Sequence, residues 1–174
     1  AASRLELPVG ERADLLDRLA DLLAAFDPAA VVFAGDLLHA FDRVPDGVAE
    51  TLAAAFETVA DAGAEPVAVR GNHDSMLDSA LDTAAPGLDT KVSVCEAYLV
   101  GDTVVHHGHA DPERVEPEGV ESGRVDGKGV DVDDAARYVV GHDHPTIEIE
   151  GARRPCLLYG PDAYRGADVF VLPA

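Results

Sequence analysis

The chain has 174 residues, of which 47% are apolar, and its 13 basic and 33 acidic side chains give a net charge of −20. This length and composition predict one globular domain over residues 1–174 and exclude a disordered chain, and no apolar run approaches the roughly 20 residues that a bilayer-spanning helix needs. The acidity is typical of a protein from an extreme halophile, and it does not exclude a nucleic-acid partner because molar salt shortens the Debye length to roughly 3 Å.

The first part of the chain alternates predicted helices with short apolar strands. Apolar residues recur with helical spacing over 10–26 and again over 46–62, where Gly63 is placed as the C-cap. Short apolar runs at 31–34 and 66–69 indicate buried strands. This order favours an α/β fold built from βα units.

The second part of the chain is rich in predicted strands. These strands are expected at 91–94, 98–100, 103–105, 138–140, 147–150, 156–159 and 169–172, with turns at Gly101-Asp102, Gly151 and Gly160. A short helix is predicted over 131–137. Residues 110–129 are acidic, rich in glycine and without a period, which predicts a long surface loop or lid of the kind that often serves function.

Metal-type side chains with an adjacent glycine follow four of the predicted strands. The four segments are Gly35-Asp36, Gly71-Asn72-His73-Asp74, His106-His107-Gly108-His109 and Gly141-His142-Asp143-His144. Side chains at the carboxyl ends of strands in an open α/β sheet meet in one crevice, so we expect these residues to form one site. The glycines would let the backbone approach a bound ion or phosphate.

In this order, the four segments resemble the signature of the calcineurin-like metallophosphoesterases, which runs D-x-H, G-D, G-N-H-D/E, a strand-end His and G-H-x-H. More narrowly, the segments 35–39 and Arg154-Pro155-Cys156 resemble the archaeal and bacterial subgroup that is related to the repair exonuclease SbcD. That subgroup includes ICC-like and ligase-associated (PdeM-type) phosphoesterases. The resemblance implies an α/β/β/α sandwich, with two mixed sheets flanked by helices.

The D-x-H motif of the family is missing from this sequence. The only Asp residues before Asp36 lie in the first predicted helix or just after it. In the subgroup, D-x-H stands just before an Ala-Ala-Ser-like stretch, which is how this chain opens. We therefore expect the natural protein to have a first strand that this sequence lacks, and the alternative is a natural loss of one metal site.

The resemblance also implies a centre of two divalent metal ions. Asp36 would bridge the two ions, with Asn72, His107 and His142 completing the shell of one ion and His144 serving the other. This donor set mixes oxygen with imidazole and contains no thiolate. It favours Mn²⁺ in the first place, with Fe, Zn²⁺ or Ni²⁺ as alternatives.

The remaining polar residues of these segments are given roles beside the ions. His73 is expected to protonate the leaving group as the general acid, and Asp74 to hold its ring. His109 shares a strand face with His107 and is a candidate substrate contact, as is Arg70. His106 points to the opposite strand face and is predicted to be a core residue. His39 is expected at the surface or behind the ligands.

These roles predict a metal-dependent phosphoesterase that acts on a phosphodiester or phosphomonoester. The subgroup resemblance adds a DNA-repair nuclease as one candidate, and a mononucleotide, a cyclic nucleotide, a DNA end and a phosphoprotein all stay open as substrates. The alternative is a non-catalytic module of the same fold that acts in protein assembly, but such a module would have lost the general acid His73. A metallo-β-lactamase-type hydrolase is disfavoured because Pro112 stands where that pattern needs a histidine.

The expected partners are a phosphoester substrate, with nucleic acid left open, and no membrane; a homodimer is also left open. The two cysteines, Cys95 and Cys156, stand far apart without a CxxC motif. They are expected to be free thiols in a reducing cytoplasm.

Overall fold

The computed structural model describes residues 9–38, 43–44, 46–84, 88–112 and 135–173. His39, residues 113–134 of the predicted loop and helix, and the N-terminal residues 1–8 lie outside the described residues. The predicted helix over 131–137 is wrong where it can be checked, because Arg137 begins a strand and the two residues before it are not helical. That strand is hydrogen-bonded on both sides, which fixes an extended backbone there.

The described residues form three helices and ten strands. In chain order these are α1 (Val9–Phe26), β1 (Ala30–Phe33), α2 (Val48–Asp61), β2 (Glu65–Val69), α3 (Leu77–Ala84), β3 (Ser93–Cys95), β4 (Ala97–Val100), β5 (Thr103–His106), β6 (Arg137–Val140), β7 (Thr146–Ile149), β8 (Ala152–Pro155), β9 (Leu158–Tyr164) and β10 (Ala167–Val171). The predicted α/β class, with sheets flanked by helices, is confirmed.

The first sheet is parallel, in the order β1-β2-β3, and its core lies under the helices. Phe56 of α2 is fully buried and packs edge-on against Phe33 of β1, with ring centroids 5.1 Å apart. Leu77 of α3 is equally buried in the same cluster. Val59 of α2 joins α1 to the sheet through Leu23. Burying side chains of this size stabilises a fold by roughly 1.5–3 kcal/mol each, so these contacts hold the helices on the sheet.

The second sheet is mixed and has the strand order β4-β5-β6-β10-β9. β4 and β5 form an antiparallel hairpin whose turn is the predicted Gly101-Asp102. β6 pairs in parallel with both β5 and β10, while β9 lies antiparallel at the edge beside β10. The parallel pairing of β5 with β6 brings the carboxyl ends of these two strands to the same edge of the sheet.

A separate two-stranded hairpin, β7-β8, follows the last ligand segment. The predictions in this region are partly wrong. β8 was not predicted, and Gly160 lies inside β9 instead of in a turn, because the chain turns later, at Arg165-Gly166. The turn before Ala152 includes Gly151, as predicted. Among the helices of the described residues, none combines the length and apolarity needed to cross a bilayer.

Candidate metal centre

Four polar side chains meet where β1, β2, β5 and β6 end. Each of these strands leads into one of the predicted ligand segments. Ligand atoms of Asp36, His107 and His142 all lie within 4.8 Å of one another. The Nε2 atom of His107 is 3.0 Å from Oδ1 of Asn72, 3.0 Å from Nδ1 of His142 and 3.3 Å from Oδ1 of Asp36. The structure therefore brings together the four residues that the sequence assigned to one ion.

The hydrogen bonding of His107 identifies what these atoms can bind. Its Nδ1 is 3.1 Å from the carbonyl oxygen of Ala34, which can only accept a hydrogen bond, so in the neutral ring Nδ1 carries the proton and Nε2 presents a lone pair. The Asn72 and Asp36 oxygens beside it also present lone pairs. A bound cation would compensate the electrostatic repulsion among these closely spaced acceptor atoms.

The spacing of the donors around His107 Nε2 also fits an ion. Ligand atoms at about 2.0–2.2 Å from a divalent ion lie roughly 3 Å from their neighbours in the same shell. The contacts of His107 Nε2, at 3.0–3.3 Å, match that spacing. The residues present therefore suit a mixed oxygen and imidazole metal site.

Two glycines make room for the ligating side chains. A Cβ atom on Gly35 would overlap the ring of His107, and one on Gly71 would overlap the carboxylate and backbone of Asp36. Gly35 also has φ +89, which favours glycine. The close approaches that the structure shows at these glycines are between neighbouring loops of the protein, and the approach to an ion or a phosphate stays a prediction.

Asp36 adopts an uncommon backbone conformation, with φ +53. A non-glycine residue in the left-handed region costs roughly 1–2 kcal/mol, so surrounding contacts must hold it there. One of these contacts is the backbone N–H of His73, which donates to Oδ1 of Asp36 over 3.1 Å. The carboxylate is thereby anchored to the loop after β2.

Asp74 provides a second link between the same two loops. Its side chain is buried, and its two oxygens accept the backbone N–H groups of Leu38 and Gly71, each at 2.8 Å. The sequence assigned this carboxylate to the ring of His73. The structure gives it two backbone partners that fix the loop after β1 on the loop after β2, and the contact with the His73 ring stays a prediction.

His73 and His144 occupy different surroundings. His73 follows Asn72 in the ligand loop, and its Nδ1 atom is buried. His144 is exposed and has φ +42. Among the described residues, the three-residue ligand cluster includes Asp36 but not His144. The assignment of His144 to a second ion therefore stays a prediction.

The two candidate substrate contacts also differ. The exposed His109 ring lies 5.4 Å from the His107 ring and 6.4 Å from the His142 ring, between centroids. Partial burial lowers the pKa of His109, and the two neighbouring imidazoles lower it further. A neutral imidazole beside the ligands can accept a hydrogen bond from a substrate or donate one.

Arg70 lies in a surface ion pair. Its Nη2 atom donates to Oδ1 of Asp78 in α3 over 2.7 Å, and Glu96 lies 3.7 Å from its Nε. The hydrogen bond to Asp78 raises the pKa of this guanidinium. Its role as a substrate contact stays a prediction, since a substrate would have to compete with these two carboxylates.

Two buried groups lie outside the site chemistry. His106 is 4% exposed, and its ring packs edge-on against Tyr138, which confirms that it is a core residue. Burial, with smaller contributions from His109 and His107, lowers its pKa to about 4. Cys95 ends β3, and burial raises the pKa of its thiol to about 11.

The comparison with known protein families agrees with this geometry. The family model for calcineurin-like phosphoesterases matches residues 8–146, which include all four ligand segments. The chain belongs to the calcineurin-like phosphoesterase family. It is therefore a hydrolase that acts on phosphoester bonds and uses divalent metal ions. No curated protein is significantly similar to the chain in sequence.

Sequence reasoning missed the groups of this phosphoesterase site that belong to the backbone. The carbonyl of Ala34 sets the tautomer of His107, and the N–H groups of Leu38 and His73 orient the carboxylates. Every residue carries such groups, so no residue type marks them. The only sequence signal was the glycine at each close approach.

Proposed function

We propose that this phosphoesterase hydrolyses phosphodiesters, with a nucleic-acid strand as its substrate, and that it works with two divalent ions, Mn²⁺ in the first place. The observation that supports a metal-dependent reaction most directly is the set of lone-pair donors around Nε2 of His107. The nucleic-acid substrate and a role in DNA repair are supported by the subgroup resemblance of residues 35–39 and Arg154-Pro155-Cys156. The metal preference follows from a donor set without thiolate.

Asp36, Asn72, His107 and His142 would hold the first ion, and Asp36 with His144 would take part in holding the second. Bound divalent ions supply a water of lowered pKa and polarise the phosphoryl oxygens. The chain itself fixes the donors: Ala34 keeps the lone pair of His107 Nε2 directed at the site, and the His73 N–H orients the Asp36 carboxylate.

We propose that His73 donates the proton that the leaving alkoxide needs. His73 immediately follows the ligand Asn72, and its backbone is hydrogen-bonded to the ligand Asp36, so its ring is carried by the loop that forms the site. A positioned acid contributes typically 10²–10⁴-fold to such a step. His109, beside the ligands, would contact the phosphoryl group.

The experiment compares His73→Ala with Asp36→Asn in molar KCl, on a dinucleotide diester and on a p-nitrophenyl ester. His73→Ala is expected to keep its metal and to lose about 10²–10⁴-fold in activity on the dinucleotide, with a smaller loss on the nitrophenyl ester, whose leaving group needs no proton. Asp36→Asn is expected to lose metal and activity together. Loss of metal from His73→Ala would show that His73 is a ligand.

The substrate proposal has its own test. The metal-loaded wild type should cleave a DNA oligonucleotide faster than a phosphomonoester. Cleavage of monoesters alone would remove the nuclease proposal and leave the phosphoesterase. A metal-loaded protein that hydrolyses no phosphoester would favour the non-catalytic assembly module.

We also propose that the protein works in the cytoplasm. Cys95 and Cys156 are both free thiols, as the sequence predicted, and free thiols suit a reducing compartment.

A further inference from the structure

The loop after β5 is fastened to the edge strand of the mixed sheet by a hydrogen bond between two side chains. The hydroxyl of Tyr164, the last residue of β9, donates to Oδ1 of Asp111 over 2.7 Å. This length is usual for a hydroxyl that donates to an oxygen, and the charge of the carboxylate strengthens such a bond. Asp111 stands shortly after His107 and His109 in the sequence. The hydrogen bond therefore fixes the end of the short segment that carries His109.

The Tyr164 ring is itself held by its neighbours. It packs edge-on against Tyr138 of β6, with ring centroids 5.1 Å apart, and Tyr138 is only 4% exposed. Ala167 of β10 pairs with Tyr164 in the sheet, and its small side chain leaves room for the two rings to meet. The Cζ atom of Arg165 lies over the Tyr164 ring, 5.4 Å from its centroid. Because the ring is already packed, its hydroxyl meets Asp111 with little further loss of side-chain freedom.

The segment 107–111 passes from one face of the mixed sheet to the other. The residue before it, His106, packs against Tyr138. Consecutive side chains of a strand point to opposite faces, so the side chain of His107 leaves on the other face, where the candidate ligands meet. The end of the segment returns to the Tyr138 face, because its anchor Tyr164 packs there. A segment this short can change face only if both of its ends are held.

His109 lies between the two held ends of this segment. At the first end, the backbone N–H of Gly141 donates to the carbonyl oxygen of His107 over 2.9 Å. The backbone bends at Gly108, whose φ of +105 glycine adopts readily. Among the described residues, the His109 ring has two imidazole neighbours and no hydrogen bond. Its orientation beside the ligands therefore depends on the backbone of the segment, and so on the anchor at Asp111.

We propose that Tyr164 is a positioning residue of the phosphoesterase reaction, which holds the His109 ring at the metal centre through Asp111. The inference rests on the contact between His109 and the phosphoryl group that is proposed above. A side chain that is held in place before the substrate arrives does not have to be ordered during the reaction. Loss of one such hydrogen bond should lower kcat/KM by about two- to tenfold. The metal content should not change, since neither Tyr164 nor Asp111 belongs to the ligand cluster of the described residues.

The first measurement follows the segment itself and needs no substrate. It uses NMR on the protein loaded with Zn²⁺, which is diamagnetic. In Tyr164→Phe the ring can stay on Tyr138 but the donor is lost, so the order parameters of the amides of residues 108–111 should fall from about 0.85 to below about 0.6. Order parameters that stay high in this variant would overturn the proposal.

The matched control is Tyr159→Phe. Tyr159 lies on the same strand as Tyr164, its ring stacks on that of Phe170, and its hydroxyl donates to Asp168 over 2.9 Å. The control therefore removes the same kind of hydrogen bond from the same strand without touching Asp111. It should leave both the order parameters of residues 108–111 and the kcat/KM unchanged.

The second measurement tests whether the effect on activity passes through Asp111 and His109, with a p-nitrophenyl phosphodiester in molar KCl. Asp111→Asn keeps an oxygen that can accept the Tyr164 hydroxyl, so it should lose less activity than Asp111→Ala, which should match Tyr164→Phe. In a His109→Ala background, Tyr164→Phe should cause no further loss. A further loss of the same size, or an equal loss in Tyr159→Phe, would overturn the proposal.

Failure of the proposed function would look different. A metal-loaded wild type that hydrolyses no phosphoester would remove that function and, with it, the catalytic purpose of the anchor. The order parameters of residues 108–111 would still decide whether Tyr164 holds the segment in place.

Discussion

One buried carboxylate, that of Asp74, links the two loops that carry Asp36 and Asn72. Asp74 links the backbone N–H groups of Leu38 and Gly71, and Asp36, with its left-handed backbone, lies in the first of these two loops. Holding the two loops together keeps the Asp36 carboxylate beside His107. Positioning of this kind decides whether ligands meet within a few tenths of an ångström.

Replacing Asp74 by Asn should therefore weaken metal binding as well as the fold. The amide offers one acceptor where the carboxylate offers two, and its NH₂ group would face a backbone N–H, which costs about 1–3 kcal/mol. We expect the free energy of unfolding in urea to fall by that amount and the calorimetric metal affinity to fall with it.

Asp78→Asn is the control for that measurement. It weakens the ion pair with Arg70, but the Asp78 side chain is 68% exposed, so the expected cost is below about 1 kcal/mol and metal affinity should not change. Equal losses of metal affinity in the two variants would contradict the positioning role of Asp74.

At the scale of elements, the sequence was most informative where a face is buried. The helices α1 and α2 and the strands β1 and β2 were predicted within two residues of their ends, because burial of one face imposes a regular apolar spacing. β8 was missed because Ala152–Pro155 is exposed on both faces and carries two arginines, so nothing in it alternates. α3 was missed because its eight residues directly follow a ligand loop, although Leu77, Ala80 and Leu81 have helical spacing.

The candidate site was predictable for a different reason. Its ligand segments follow strands, and strand ends in an α/β sheet converge, so the four segments could be grouped from the sequence. The choice of Asp36, Asn72, His107 and His142 within these segments came from the family resemblance. What could not be predicted is how the loops are held, because the Ala34 carbonyl and the Leu38 N–H are backbone groups.

Cys95, the last residue of β3, is buried, and we expect its thiol to react slowly. Burial is the main cause of its raised pKa, about 11, and since the raised pKa disfavours the thiolate, the reactive form is scarce at pH 8.5. In a Cys156→Ser variant, we expect iodoacetamide to modify Cys95 roughly 100-fold more slowly than an ordinary cysteine. Adding urea should restore the ordinary rate, and rapid modification of the folded variant would contradict this burial. The control is the Cys95→Ser variant, in which the iodoacetamide reaction measures the modification rate of Cys156.

For the whole molecule, charge is the dominant property. A net charge of −20 on 174 residues makes the compact state repel itself in dilute buffer. The Tm, measured by circular dichroism, should therefore rise steeply as the KCl concentration is raised to the molar range. Sucrose, which stabilises without screening charge, is the control. A Tm that responds equally to both, or that is flat in KCl, would contradict the halophilic interpretation.

The metal centre also lies where the two large sheets meet. Asp36 and Asn72 follow strands of the parallel sheet, whereas His107 and His142 follow strands of the mixed sheet, and the His107 ring already reaches across to Ala34. An ion bound by all four residues therefore fastens one sheet to the other, and at 100 times its Kd it adds about 2.7 kcal/mol to the stability of the docked arrangement. Chelation should loosen this junction before either sheet unfolds. In hydrogen–deuterium exchange, EDTA should raise the exchange rates of the amides of residues 34–38 and 70–74 far more than those of the amides in the middle of β5 and β6. That result would show that the metal ion of the site also stabilises the contact between the two sheets.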